Sequence, residues 1–150
     1  MDPALGNQGL PGMTPRVDQT SRKFLTENNH VVRRGIKIPS TAVDSGNTPT
    51  TKLRAGLALV RVEAAGANLG TYVPVGHADA PVAADIEAAV LLMEDINMLG
   101  PDGAAEAKTA TGLIHGFVDS TKVIFGTVDV PTIDAIKTVA LPLVQFENPA

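Results

Sequence analysis

Three histidines, His30, His77 and His115, are the side chains best suited to proton transfer or metal ligation near neutral pH. None lies three or four residues from another, the spacing that puts two imidazoles on one helix face, and none sits in an HExxH setting. His77 and Asp79 could hold a metal weakly, but the stretch HADAP around them reads as a surface loop. His115, between Ile114 and Gly116, reads as a strand residue rather than a ligand. Glu94 and Asp95 are adjacent, so on a strand they face opposite ways and cannot share a proton. Asp129 reads as a helix cap and Asp134 as a solvated helix position. No GxSxG elbow, GxGxxG loop or P-loop is present. The chain has no cysteine, which excludes disulfides, thiol catalysis and cysteine-ligated zinc and fits assembly in a reducing cytoplasm. The residues therefore predict a protein that is not an enzyme and uses neither metal nor cofactor.

The elements that would have to position such groups are built from small side chains. Apolar residues make up 44% of the chain and aromatics only 3%, so the core is one of Ala, Val, Leu and Ile, suited to closely packed strands. Few large rings remain to hold a flat ligand or stack a nucleobase. There is no basic-then-apolar signal pattern, and no apolar run approaches the roughly 20 residues that span a bilayer. No membrane partner is expected. The net charge of −4 is unevenly spread: residues 1–61 hold nine of the twelve Lys and Arg and are about +5, whereas residues 62–150 are about −9. A basic arm on an acidic body can bind an anion or dock on an acidic protein surface. Nucleic acid is the weaker reading, because the cations are scattered and Phe24 is the only aromatic among them.

Residues 1–21, MDPALGNQGLPGMTPRVDQTS, show neither a period of 2 nor of 3.6, and are expected to stay unfolded without a partner surface. Val31–Ile38 reads as a strand, with Ile36 and Ile38 on one face, Lys37 on the other and Gly35 marking a bulge or bend. The stretch PSTAVDSGNTPTT, residues 39–51, reads as a linker. A compact domain is expected from Lys52. Within it, LALVRVEA at Leu57–Ala64 and TYVPV at Thr71–Val75 read as strands. Ala83–Met93 is ambiguous between helix and buried strand, Gly112–Val118 and Lys122–Phe125 flank a turn, and Pro131–Ala140 forms a short helix with Ile133, Ile136 and Val139 along one side. Leu143–Phe146 returns to the sheet.

At Leu53-Arg54-Ala55-Gly56-Leu57-Ala58-Leu59 the sequence becomes specific. This LxAGxxL segment, followed by Tyr72-Val73-Pro74, by AVLLMED at Ala89–Asp95, by Leu113-Ile114-His115-Gly116-Phe117-Val118 and by a helix with Leu143–Phe146, resembles the lambda-like bacteriophage head decoration proteins. The match covers about residues 52–147 and gains its weight from the order of the pieces. Val60-Arg61 stands where many members have a glycine, and residues 1–51 exceed the tail of the smallest members.

The resemblance implies a mostly β fold, a β-barrel or β-tulip-like small domain with one or two short helices and an extended N-terminal arm. It implies Leu53, Ala55, Gly56, Tyr72, Pro74, His115 and Gly116 as structural residues, and it favours strand for Ala88–Met93. It also implies a homotrimer on the capsid exterior of the virion, assembled in the host cytoplasm, that cements the major capsid protein lattice after expansion. On that reading residues 1–51 are a capsid-binding arm and linker, and residues 52–150 are the decoration domain. Val31, Val32, Arg33, Arg34, Ile36, Lys37 and Ile38 are then expected to add a strand to the capsid protein, with the isoleucines setting register. Two other readings share the composition: a tail or fibre component, and a β-domain that binds a small molecule or sugar. The latter needs a pocket with convergent polar groups.

Overall fold

The structure is a computed structural model, and it describes residues 24–26, 30–126 and 128–148. It is mostly β, with a single 3-10 turn at Ala83–Asp85 and one short helix near the C-terminal end of the described residues. The strands are β1 (Val32–Ile38), β2 (Lys52–Leu53), β3 (Ala58–Arg61), β4 (Tyr72–Pro74), β5 (Ala89–Leu92), β6 (Ile96–Asn97), β7 (Lys108–Asp119) and β8 (Val144–Glu147). Helix α1 (Val130–Ala135) precedes β8 and continues as a π turn over Ile136–Ala140.

The main sheet has the order β1-β7-β5-β3-β4, all antiparallel, and β8 pairs with the C-terminal end of β7 in parallel. β2 and β6 form a separate two-stranded ribbon. β7 is the spine. Val118 is bridged by Leu25 and by Phe146, and the next residue, Asp119, donates its N–H to the Phe24 carbonyl (2.7 Å) and faces Glu147 across the ladder. The two outermost strands, β1 and β4, curl toward each other, and Arg34 Nη1 comes within 3.5 Å of the Tyr72 hydroxyl across the seam.

Strand alternation divides the apolar residues between the two faces of the sheet. Ala58, Val60, Val73, Ala89, Leu91 and Leu113 join one cluster, covered by Phe24, Ile136, Leu141 and Val144. Leu57, Leu59, Val90, Leu92, Ile36 and Ile38 join the other, closed by Leu53 and Met98. β5 is buried on both faces, which explains why its run of four apolar residues carries no period of its own. It is a strand, as the resemblance favours.

Four expectations need correction. First, the compact body does not begin at Lys52. Phe24 is buried, β1 pairs with β7 over its whole length, and Ala42 and Asp44 of the supposed linker are buried as well. Of the arm, residues 1–23 and 27–29 lie outside the described residues. Second, Val31–Ile38 is not a spare strand awaiting a partner sheet: Ile36 is 5% and Ile38 0% exposed inside this chain's own core. Third, Gly112–Val118 and Lys122–Phe125 are not two matched strands. β7 extends back to Lys108, because β1 offers it a pairing edge, and Ile124 makes only an isolated bridge to Leu57. Asp119 ends the strand by accepting from both the backbone N–H (2.9 Å) and the hydroxyl (2.6 Å) of Thr121. Fourth, Val139 does not share the inner side with Ile136. The wider turn that closes with Leu141 N–H donating to the Ile136 carbonyl (2.8 Å) shifts the helical phase and leaves Val139 59% exposed.

Candidate interaction surfaces

The potentially reactive side chains are dispersed. Among the described residues no group of three or more His, Cys, Asp or Glu could hold a metal ion. His30 is exposed beside β1, and His115 is half-buried on β7. His77 comes nearest to chemistry: its Nε2 lies 2.9 Å from Thr41 Oγ1 and its Nδ1 3.9 Å from the Asp79 carboxylate, superficially a hydroxyl–imidazole–carboxylate relay. The hydrogen bonds rule that out for the neutral ring. Nδ1 accepts the Asp79 backbone N–H (3.1 Å), so the proton sits on Nε2, which therefore donates to Thr41 and cannot take its proton. The interaction instead ties the 39–51 segment to the loop after β4.

Of the adjacent acids, Glu94 is exposed, while Asp95 turns inward to accept the Ala55 N–H (2.8 Å) and stands 3.7 Å from Lys52 Nζ. This contact shapes the LxAGxxL segment. Leu53 and Ala55 are fully buried, and Gly56 has φ +88°, with a would-be Cβ only 2.7 Å from the Lys122 carbonyl. No other residue fits there without displacing backbone. Tyr72 and Pro74 are buried on β4, and a Cβ on Gly116 would press on Leu113 at 3.3 Å. Leu53, Ala55, Gly56, Tyr72, Pro74 and Gly116 thus lie in packing or turn positions, and His115 stands opposite Val32 on the ladder.

Two structural residues of equal weight are absent from that reading. Gly112 lies on β7 against Val90, where a Cβ would come within 2.5 Å of the Val90 Cβ. A glycine inside an apolar strand was the available signal. Asp44, nearly fully buried, takes Arg54 Nε at 2.7 Å and Nη2 at 3.0 Å in a two-pronged pair, and also accepts the Arg54 and Gly46 N–H groups. Burial pushes the Asp44 carboxyl up, but the hydrogen bonds and charge of Arg54 outweigh this and hold it below the ordinary carboxylate value. The partners are ten residues apart in a Pro- and Gly-containing stretch, with no periodicity to reveal them.

A cavity of about 190 Å³ between Leu57, Pro74 and Phe125 is bordered by Asp44 and His77, both already committed to the bonds above. What remains available is surface. Arg33, Arg34 and Lys37 are exposed on β1, and none forms an ion pair among the described residues. On the β3–β5 side, Glu63, Asp79, Asp85 and Glu87 border an open depression floored by Ala and Pro, with Arg61 as the nearby cation. No helix of the described residues is long and apolar enough to cross a membrane. Compared with protein-family models, curated proteins and solved structures, the chain matches none.

Proposed function

We propose that this chain is a capsid decoration protein, a trimer that binds the exterior of an expanded bacteriophage head and stabilises its lattice. One observation carries the reading: the segments that resemble the decoration proteins fall on strands of the main sheet, on the end of the β2 ribbon strand and on the turns that lock them. Leu53–Leu59 spans β2, the Gly56 turn and the start of β3; Tyr72-Val73-Pro74 is β4; Ala89–Asp95 is β5 with its Asp95 anchor; Leu113–Val118 lies within β7; and Val144–Phe146 lies in β8. Charged, unpaired side chains on a rigid sheet suit a binding role better than a chemical one.

Such a protein acts by mass action. A ligand that binds only the expanded lattice stabilises that lattice, and three weak contacts on one trimer act together through effective concentration. The test is co-sedimentation with expanded, undecorated bacteriophage heads. Saturable binding and greater heat resistance of expanded but not unexpanded heads are expected. Equal binding to both forms, or to neither, overturns the reading.

A further inference from the structure

Along Gly35–Lys37 the outward face of β1 is left open among the described residues, while at the Arg33 end the neighbouring Leu113 is buried in the first core cluster. From Arg33 onward the strand alternates, sending Ile36 and Ile38 into the core and Arg33, Gly35 and Lys37 to the opposite side, where all three are exposed. Their neighbours across the ladder are Leu113, Thr111 and Thr109; Thr109 is exposed, and the space above Gly35 is empty to 4 Å. Arg33 and Lys37 thus stand about 13 Å apart along the strand, four residues at roughly 3.3 Å each, with the exposed Gly35 between them. Neither has an anionic partner among the described residues.

The complement exists on the same chain. Glu63, Asp79, Asp85 and Glu87 border the depression beside β3 and β5, set around small side chains that leave room for long ones to enter. Asp85 is exposed and the Glu87 side chain is 73% exposed. Arg61, bonded to Glu63 and within 3.7 Å of Glu87, leaves the group strongly negative. β1 meets β4, the neighbour of β3, at the Arg34–Tyr72 seam, and among the described residues no ion pair joins the two patches. A two-fold contact of β1 with another β1 would set like charges against each other, so an isologous pairing through this strand is disfavoured.

We infer that the occupant of the β1 face is the acidic depression of a second copy of this chain, in a head-to-tail contact with Arg33 and Lys37 opposite Asp85 and Glu87. A heterologous contact of this kind closes into a ring when its rotation allows, and three copies is the closure the decoration reading calls for. The inference rests on that reading for the number of copies, but not for the contact. Because it joins exposed groups, it is sensitive to salt and to the sign of the charges, not to core packing.

A charge-swap cycle read by sedimentation velocity tests it. Arg33→Glu with Lys37→Glu, or Asp85→Lys with Glu87→Lys, should each weaken self-association at least tenfold at 0.1 M salt. All four changes in one chain should restore it, because every contact then regains opposite charges with the signs inverted. The altered side chains are exposed, and unchanged melting temperatures would establish that each variant folds. Wild-type protein that stays monomeric at 0.1 mM overturns the contact, as does association indifferent to both pairs of reversals or loss that the fourfold variant does not recover. If the β1 reversals abolish binding to expanded heads while self-association persists, the face belongs to the capsid contact and the inference is wrong, with the decoration reading intact.

Discussion

At the scale of single residues, the sheet depends on positions where an added atom or a lost charge has nowhere to go. Gly112→Ala places a methyl group 2.5 Å from the Val90 Cβ, in backbone pinned by β1 and β5 on either side. Overpacking of this kind costs about 1–3 kcal/mol, so denaturant unfolding should show a fall in that range, and pairing it with Val90→Ala should recover most of it. An unchanged midpoint would mean that the strands are not packed as described. Asp44 behaves differently. Because its folded pKa is lowered, the pair with Arg54 contributes stability that is fully present above the unfolded value of about 3.9 and is lost as pH falls below it through the folded value. Asp44→Asn should therefore cost about 2 kcal/mol at pH 7, with the gap from wild type closing as the solution is taken below about pH 4. Parallel stability curves for the two proteins down to pH 3 would refute this assignment.

At the scale of elements, β1 is the decisive case. Ile36→Pro removes a backbone donor, fixes φ and vacates a buried site, and should lower stability by about 3 kcal/mol or more, a drop of many degrees in melting temperature. A variant that melts like wild type would mean that the strand does not belong to this sheet. The strand itself is legible in its residues: alternation through Ile36 and Ile38 reveals it, as Gly56 and Gly66 bracket β3 and Asp129 announces α1 through its bond to the Thr132 N–H (3.1 Å). Its partner is not legible. The stretch PSTAVDSGNTPTT has the composition of a linker, and what makes it part of the body is the side chain of Asp44 finding Arg54, a contact with no trace in local pattern. The π turn over Ile136–Ala140 was hidden for a related reason: a 3.6-residue period cannot anticipate a change of winding that tertiary packing imposes. The candidate surface was half legible. The charge imbalance between the two parts of the chain is plain in the sequence, but the grouping of Glu63, Asp79, Asp85 and Glu87 around one depression comes only from the fold.

At the scale of the whole molecule, a body with cations on β1 and acids on the loops beside β3 and β5 should bind in a way that weakens with salt. If exposed charges steer it onto a shell, the apparent affinity for expanded heads should fall by an order of magnitude or more between about 0.05 and 0.5 M NaCl, since the screening length shrinks from roughly 14 to 4 Å. Affinity that holds steady across that range would assign binding to apolar and backbone contacts alone. Sedimentation equilibrium in low salt should give about 46 kDa for three chains of 15.5 kDa; a stable dimer would contradict the trimer.

Phe24 and Glu147 flank the same residue, Asp119, from the two sides of the spine strand, so they lie about two strand spacings, or roughly 10 Å, apart. A graft following Glu147 would therefore start about 10 Å from Phe24. The exposed loop from Pro101 to Ala107 enters β7 at its opposite end. A peptide inserted there would stand at the far end of the spine strand from Phe24 and Glu147, which suits this exposed loop to carry an insertion.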